Sequence, residues 1–241
     1  KESGVMELFS SNEDLKIGKL QINKHSDSEK LKMELESFGF YFSQHPISLV
    51  RKTLSSKLKP IKKLVTTNTD KFIPVLINHK RVIKKGSNMY VFLEVSDETG
   101  VIDVSVPNEL YEEKKPLFKE NTIAMIKGTI SADDYRRENL EDVGIKVRAA
   151  DIFPIDTARN FVTSQIKISV PISKIEALAN GKFSEFEELN SPDGIDVTLE
   201  FRDYAKNLST EIKVDSFRIS LEDSTFEKLD KLFGEENYTL F

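Results

Sequence analysis

The sequence predicts an α+β multidomain fragment: a helical segment, a five-stranded β-barrel and a small C-terminal α+β domain. Three observations predict it. Apolar residues recur close to every 3.6 positions between Glu29 and Phe42, which is the period of a helix with one buried face. From Phe72 to Ile152 the period falls to two, in five runs broken by Gly, Asn and Asp. After Pro154 both periods appear in short stretches, as a mixed sheet-and-helix unit requires.

Each element has its own signals. Residues 1–25 are polar and irregular apart from Met6, Leu8 and Phe9, and read as a linker. Ser26 or Ser28 can cap a helix whose inner positions are Leu31, Leu35, Phe38 and Phe42, with His45-Pro46 as its stop. A shorter helix is expected over Ser48–Leu58, with a boundary at the polar run Thr66–Asp70. The first strand runs from Phe72 to Lys85, and Gly86-Ser87-Asn88 turns it. The second is Met89–Val95, and Asp97-Glu98-Thr99-Gly100 leads into the third, Val101–Val106. A helix with Leu110, Tyr111, Leu117 and Phe118 inward precedes strand four, Thr122–Ile130. After a charged loop comes strand five, 144–152. Three meandering strands, a helix and two more strands make the order of an OB-fold, whose open face binds oligonucleotides. A five-stranded SH3-type barrel would lack the helix.

Beyond Pro154, Phe161–Val170 reads as a strand and Pro171 opens a helix with Ile172, Ile175, Leu178 and Ala179 inward. Ile195–Phe201 and Glu211–Ser220 read as strands, Leu221–Phe233 as a helix stopped by Gly234, and Tyr238–Leu240 as a last strand. The boundaries that follow are 1–25 for the linker, 26–70 for the helical segment, 71–155 for the barrel and 156–241 for the terminal domain.

Charge is distributed unevenly over these parts. Residues 51–90 hold eleven Lys or Arg against one acid, Asp70, so that stretch is +10 while the 241-residue chain is −5 and the remainder is −15. Residues 182–241 carry seven bases and fifteen acids, a net −8, which suits a protein partner better than a nucleic acid. The basic stretch runs into the strand bearing Tyr90 and Phe92. Cations beside exposed rings suit a single nucleic-acid strand, because phosphates attract the one and bases stack on the other. A solvated helix face and a lysine-protected strand edge would look the same in composition. In strand two, Met89, Val91, Leu93 and Val95 form the larger apolar set, so Tyr90 and Phe92 are expected to face outward, with Lys80, Lys84 and Lys85 beside them.

Several chemistries find no support. There is no cysteine, which removes disulfides and zinc–thiolate sites and fits a reducing cytoplasm. No apolar run approaches the length of a membrane span, and His25, His45 and His79 lie far apart. The pairs Asp97/Glu98 and Asp133/Asp134 sit in expected turns, where Asp serves backbone geometry. The sequence supports binding and not turnover, and its first residue, Lys1, suggests a portion of a longer polypeptide.

The run Met33–Ile47, with Gly39-Phe40-Tyr41-Phe42-Ser43-Gln44-His45-Pro46, resembles the segment preceding the OB domain in the alpha subunits of bacterial DNA polymerase III. Gln44 stands where that family usually has glycine. Lys84-Lys85-Gly86, Tyr90-Val91-Phe92, the turn 97–104 and the closing Phe217-Arg218-Ile219, Leu229, Leu232, Phe233 and Gly234 extend the resemblance over most of the chain. It implies a C-terminal, non-catalytic part of a DNA-directed DNA polymerase, with 26–70 as the tail of the fingers region. The palm carboxylates and their Mg would lie upstream, so no catalytic residue and no cofactor is expected here. It also implies single-stranded template on the barrel, at Lys80, Arg81, Lys84, Lys85, Tyr90 and Phe92. Leu8 and Phe9 would occupy a sliding-clamp pocket, with Val5 where the family has glutamine, and the terminal domain would dock the clamp-loader tau subunit. The alternative is a free-standing OB-fold nucleic-acid-binding module, in which residues 26–58 are decoration.

Overall fold

The computed structural model describes residues 25–86, 88–133, 144–177, 183–234 and 236–241. Leu8 and Phe9, and the motif around them, lie outside these residues.

Helix α1 (Asp27–Phe38) starts at a capping box, in which the Ser26 hydroxyl accepts from the Glu29 N–H and the Glu29 carboxylate accepts from the Ser26 N–H. It ends four residues before the expected position. Gly39 takes a left-handed φ of 78° and its N–H donates to the Leu35 carbonyl, a conformation that costs glycine little. The Glu34 carboxylate then receives the N–H groups of Phe42 and Ser43, at 3.0 and 3.2 Å, and holds the chain in a turn. Phe38 and Phe42, expected inward, are therefore exposed, with their rings 5.4 Å apart. His45 begins a helix where it was expected to help end one. Its Nδ1 accepts the Ile47 N–H at 3.2 Å and caps α2 (Pro46–Lys52), which stops short of the expected Leu58. Nε2 therefore carries the ring proton and faces Ser96 Oγ at 2.9 Å, and that hydroxyl donates to Asn78 Oδ1. Burial pushes the His45 pKa down, against the pull of Asp97 and Glu98.

Five strands close a barrel in the order β1-β2-β3-β5-β4. They are β1 (Thr67–Lys85), β2 (Asn88–Asp97), β3 (Gly100–Val106), β4 (Thr122–Ala132) and β5 (Ile145–Pro154). All pairings are antiparallel except β3 with β5, which is parallel and closes the sheet. This is the OB-fold that the order of elements predicts. Strand β1 begins at Thr67, inside the polar run expected as a boundary, because backbone pairing with Ile130 needs no apolar side chain there. Inside lie Ile73, Val75, Leu93, Val104, Ile126, Val147 and Ile152, all nearly inaccessible. Helix α3 (Asn108–Glu113) and a 3₁₀ turn (Lys115–Leu117) close one end with Leu110, Tyr111 and Phe118; Leu117 is only partly buried.

Helix α4 (Ile155–Val162) replaces the first residues of the strand expected from Phe161. It buries Ala158 and Arg159, and the strand β6 (Gln165–Pro171) begins only afterwards. Ala158 packs with Leu54 on Met125, whose side chain leaves β4 away from the barrel interior. That part of the outer wall is thus covered, and the wall formed by β2, β3 and β5 stays open.

The terminal sheet has the order β8-β7-β6-β9, with β7 (Asn190–Asp203), β8 (Leu208–Ile219) and β9 (Tyr238–Leu240). The short helices α5 (Ile175–Ala177) and α6 (Phe183–Glu187) link the parallel pair β6 and β7, and α7 (Asp223–Leu232) packs Phe226 and Leu229 onto the sheet. Ile172 and Ile175, expected inward, are exposed, because a 3₁₀ turn at Ile172–Lys174 breaks the expected helical face. Leu178 and Ala179 lie outside the described residues. The Ser56 N–H donates to the Leu240 carbonyl at 2.8 Å and ties β9 to the helical segment.

Candidate nucleic-acid interface

Side chains on neighbouring strands that face each other share one side of a sheet. In the β1–β2 ribbon Arg81 faces Phe92, Ile83 faces Tyr90 and Lys85 faces Asn88. Val91, Leu93 and Val95 fill the interior, so Phe92 and Tyr90 stand on the outer wall, as the apolar pattern predicts. The Arg81 guanidinium lies 5.9 Å from the centre of the Phe92 ring.

Lys80 and Lys84 do not join that face, which corrects the expected grouping. They face Leu93 and Met89 on the opposite side of the ribbon, because a bulge between Ile77 and His79 resets the alternation of β1. Lys80 is further committed. Its Nζ donates to the Phe118 carbonyl at 3.0 Å and lies 5.6 Å from the Tyr111 ring centre. Lys84 is exposed at the ribbon end, on the side away from Tyr90.

The register continues the outer row across the barrel. Phe92 faces Ser105 on β3, Ser105 faces Arg148 on β5, and Arg148 faces Thr129 on β4. A cation, a ring, a hydroxyl and a second cation thus lie side by side over four strands. Arg148 is exposed, while Ser105 Oγ donates to the Val147 carbonyl at 3.3 Å. Sequence reasoning missed Arg148, although Lys146 and Arg148 alternating with Ile145, Val147 and Ala149 carried the signal. Gly128 makes this approach possible. A Cβ at that position would clash with the Arg148 carbonyl oxygen, so only glycine lets β4 lie this close to β5 beside the β5 bulge at Ala150.

The next row along is different. His79, Glu94, Asp103 and Lys146 face one another in turn, placing two carboxylates side by side on β2 and β3. This row bounds the basic one, since like charges repel a phosphate chain from it. The strand path it leaves open runs from Lys85 and Tyr90 through Arg81 and Phe92 to Arg148.

The remaining candidates have structural explanations. The Asp97 side chain is 1% exposed and accepts from the N–H groups of Ile61, Thr99 and Gly100, the Thr99 hydroxyl and Arg51. Glu98 shares Arg51 with it, at 3.2 Å. The Asp133 N–H donates to the Gly144 carbonyl, and Asp134 lies outside the described residues. His79 faces Glu120 at 2.8 Å, and His25 faces Glu29 at 3.8 Å. Among the described residues no three His, Asp or Glu side chains converge on a point that could hold a metal ion. No helix among them is long and apolar enough to cross a membrane.

Comparison with known proteins agrees with the geometry. The family described as an OB-fold nucleic acid binding domain matches residues 75–155. The chain is also similar to DNA polymerase III alpha subunits, as its Gly-Phe-Tyr–His-Pro segment implies. It is 31% identical to that of Aquifex aeolicus (strain VF5) over 129 residues, covering 52% of this chain and 10% of the relative. It is 25% identical to that of Bacillus subtilis (strain 168) over 214 residues, covering 87% of this chain and 18% of the relative. The chain therefore spans between a tenth and a fifth of these relatives. Among solved structures, one described as a replication protein A heterotrimer bound to ssDNA covers 64% of this chain and 37% of its own, at 16% identity and a TM-score of 0.33.

Proposed function

We propose that this chain is the single-strand-binding and docking part of a bacterial replicative polymerase, acting in DNA-templated synthesis whose catalytic carboxylates and Mg lie elsewhere in a longer polypeptide. The observation that carries the reading is the outer row Arg81–Phe92–Ser105–Arg148, which offers two cations around one ring on the open wall of an OB-fold. Tyr90, 46% exposed, and Lys85 extend it along the ribbon. The similarity to alpha subunits supports template DNA as the ligand. By the same similarity Leu8 and Phe9 would tether the sliding clamp, and the acidic terminal domain would dock the clamp-loader tau subunit, in the cytoplasm. A free-standing OB module would have no use for residues 26–58. The pairing of Arg51 with Asp97 and of His45 with Ser96 joins that segment to the barrel and argues against this alternative.

Salt dependence tests the reading. Each phosphate contact on a single strand contributes about 0.7 to the slope of log affinity against log salt. Arg81→Ala/Arg148→Ala is expected to flatten the slope by about 1.4 for a single-stranded oligonucleotide. Lys80→Ala leaves the slope unchanged, because its ammonium already serves the Phe118 carbonyl. Equal slopes for wild type and the double arginine variant would put the strand on another surface.

A further inference from the structure

The sequence concentrates eleven bases in residues 51–90, and the outer row uses only two of them, Arg81 and Lys85. Much of the remainder meets in one place. A groove of about 400 Å³ lies between the 55–65 loop, the start of β1 and the end of α4. Lys57, Lys59 and Lys71 line it, and Lys62 and Lys63 are exposed on the neighbouring 3₁₀ turn, Ile61–Lys63. The one carboxylate in its wall, Asp70, lies 3.7 Å from the Lys127 ammonium. None of the five lysines makes an ion pair among the described residues. Three lysines lining one groove, with two more exposed beside it, outnumber the single carboxylate in its wall, and a polyanion relieves the repulsion among them.

The groove also continues from the outer row. Thr129, which faces Arg148, and Lys127 two residues earlier share the outer side of β4. Lys127 faces Phe72 of β1 and lies 6.0 Å from its ring centre, and Phe72 lines the groove. Four strand-to-strand steps of about 4.8 Å separate Arg81 from Thr129, on the order of 20 Å of surface. One OB-fold accommodates roughly 4 to 16 nucleotides, so a strand crossing the row reaches the groove within that range.

We propose that the groove of Lys57, Lys59 and Lys71 is a second polynucleotide site, which holds the phosphate backbone of a single DNA strand leaving the barrel face past Arg148 and Lys127. The inference takes only the ligand from the proposed function; the site is separate. Phe72 packs against Phe153, at 6.2 Å between ring centres, so the groove reads backbone and not bases.

Anisotropy titrations of the full chain with oligodeoxythymidylates of about 6 and about 20 nucleotides test it. For the longer strand, Lys57→Ala/Lys59→Ala/Lys71→Ala is expected to lose on the order of tenfold in affinity and about 2 in salt slope, with the shorter strand unaffected. All three side chains are exposed, so folding is preserved. An unchanged slope for the longer strand overturns the proposal. So does an equal loss for a duplex of the same length, which would make the groove a general polyanion surface. If Arg81→Ala/Phe92→Ala binds both strands as wild type does while the lysine variant loses the longer one, the groove stands and the barrel-face reading fails.

Discussion

Asp97→Ala is expected to cost about 3 to 5 kcal/mol of stability, seen as a lower urea midpoint. Its carboxylate is buried between the barrel and the helical segment. The N–H groups of Ile61, Thr99 and Gly100 reach it at 2.7, 2.7 and 3.2 Å, and the Thr99 hydroxyl at 2.6 Å. Arg51 Nη2 completes the set at 3.0 Å. Removing the acceptor strands four donors and leaves Arg51 with Glu98 as its one carboxylate, and each buried donor left unpaired costs about 1 to 3 kcal/mol. Asp97→Asn retains one acceptor oxygen and should lose less. The functional consequence is local. The helical segment loosens from the β2–β3 turn, while the Arg81–Phe92–Arg148 row lies on another part of the wall. A loss below about 1 kcal/mol would mean that the segment is held by Leu54 and Ile47 packing alone.

Phe118→Ala is expected to be of similar size, about 3 to 5 kcal/mol, by a different route. The ring is wholly inaccessible and lies 5.5 Å from Tyr111, so its removal leaves a cavity at the closed end of the barrel. The Phe118 carbonyl also anchors Lys80, but through the backbone, which the substitution keeps. Stability should therefore fall without a change in the salt slope of strand binding. Chemical denaturation beside a salt titration separates the two effects. A flattened slope in this variant would show that the barrel end shapes the outer wall.

Much of this architecture was legible in the residues. Period-two runs and the intervening helix were enough for the OB-fold, and the larger apolar set in β2 correctly turned Tyr90 and Phe92 outward. Three features were not legible, each for a physical reason. The bulge at Ile77/His79 shifts the alternation of β1 by one, so lysines that seem to neighbour Tyr90 in sequence fall on the other side. The left-handed turn at Gly39 ends α1 early, although Phe38 and Phe42 continue the helical spacing beyond it. Arg148 joins Phe92 only through Ser105 and the parallel pairing of β3 with β5, between residues 43 apart that no local pattern encodes.

The central claim is that a nucleobase rests on the ring that Arg81 covers from one side. Base stacking on an aromatic ring contributes about 1 to 3 kcal/mol. The direct measurement is the affinity of Phe92→Ala and Phe92→Tyr for a short single-stranded oligonucleotide, in one buffer of stated salt. The account predicts a loss of roughly ten- to a hundredfold for Phe92→Ala, with near-complete recovery in Phe92→Tyr. Wild-type affinity in Phe92→Ala, with its fold intact by thermal melting, would contradict it.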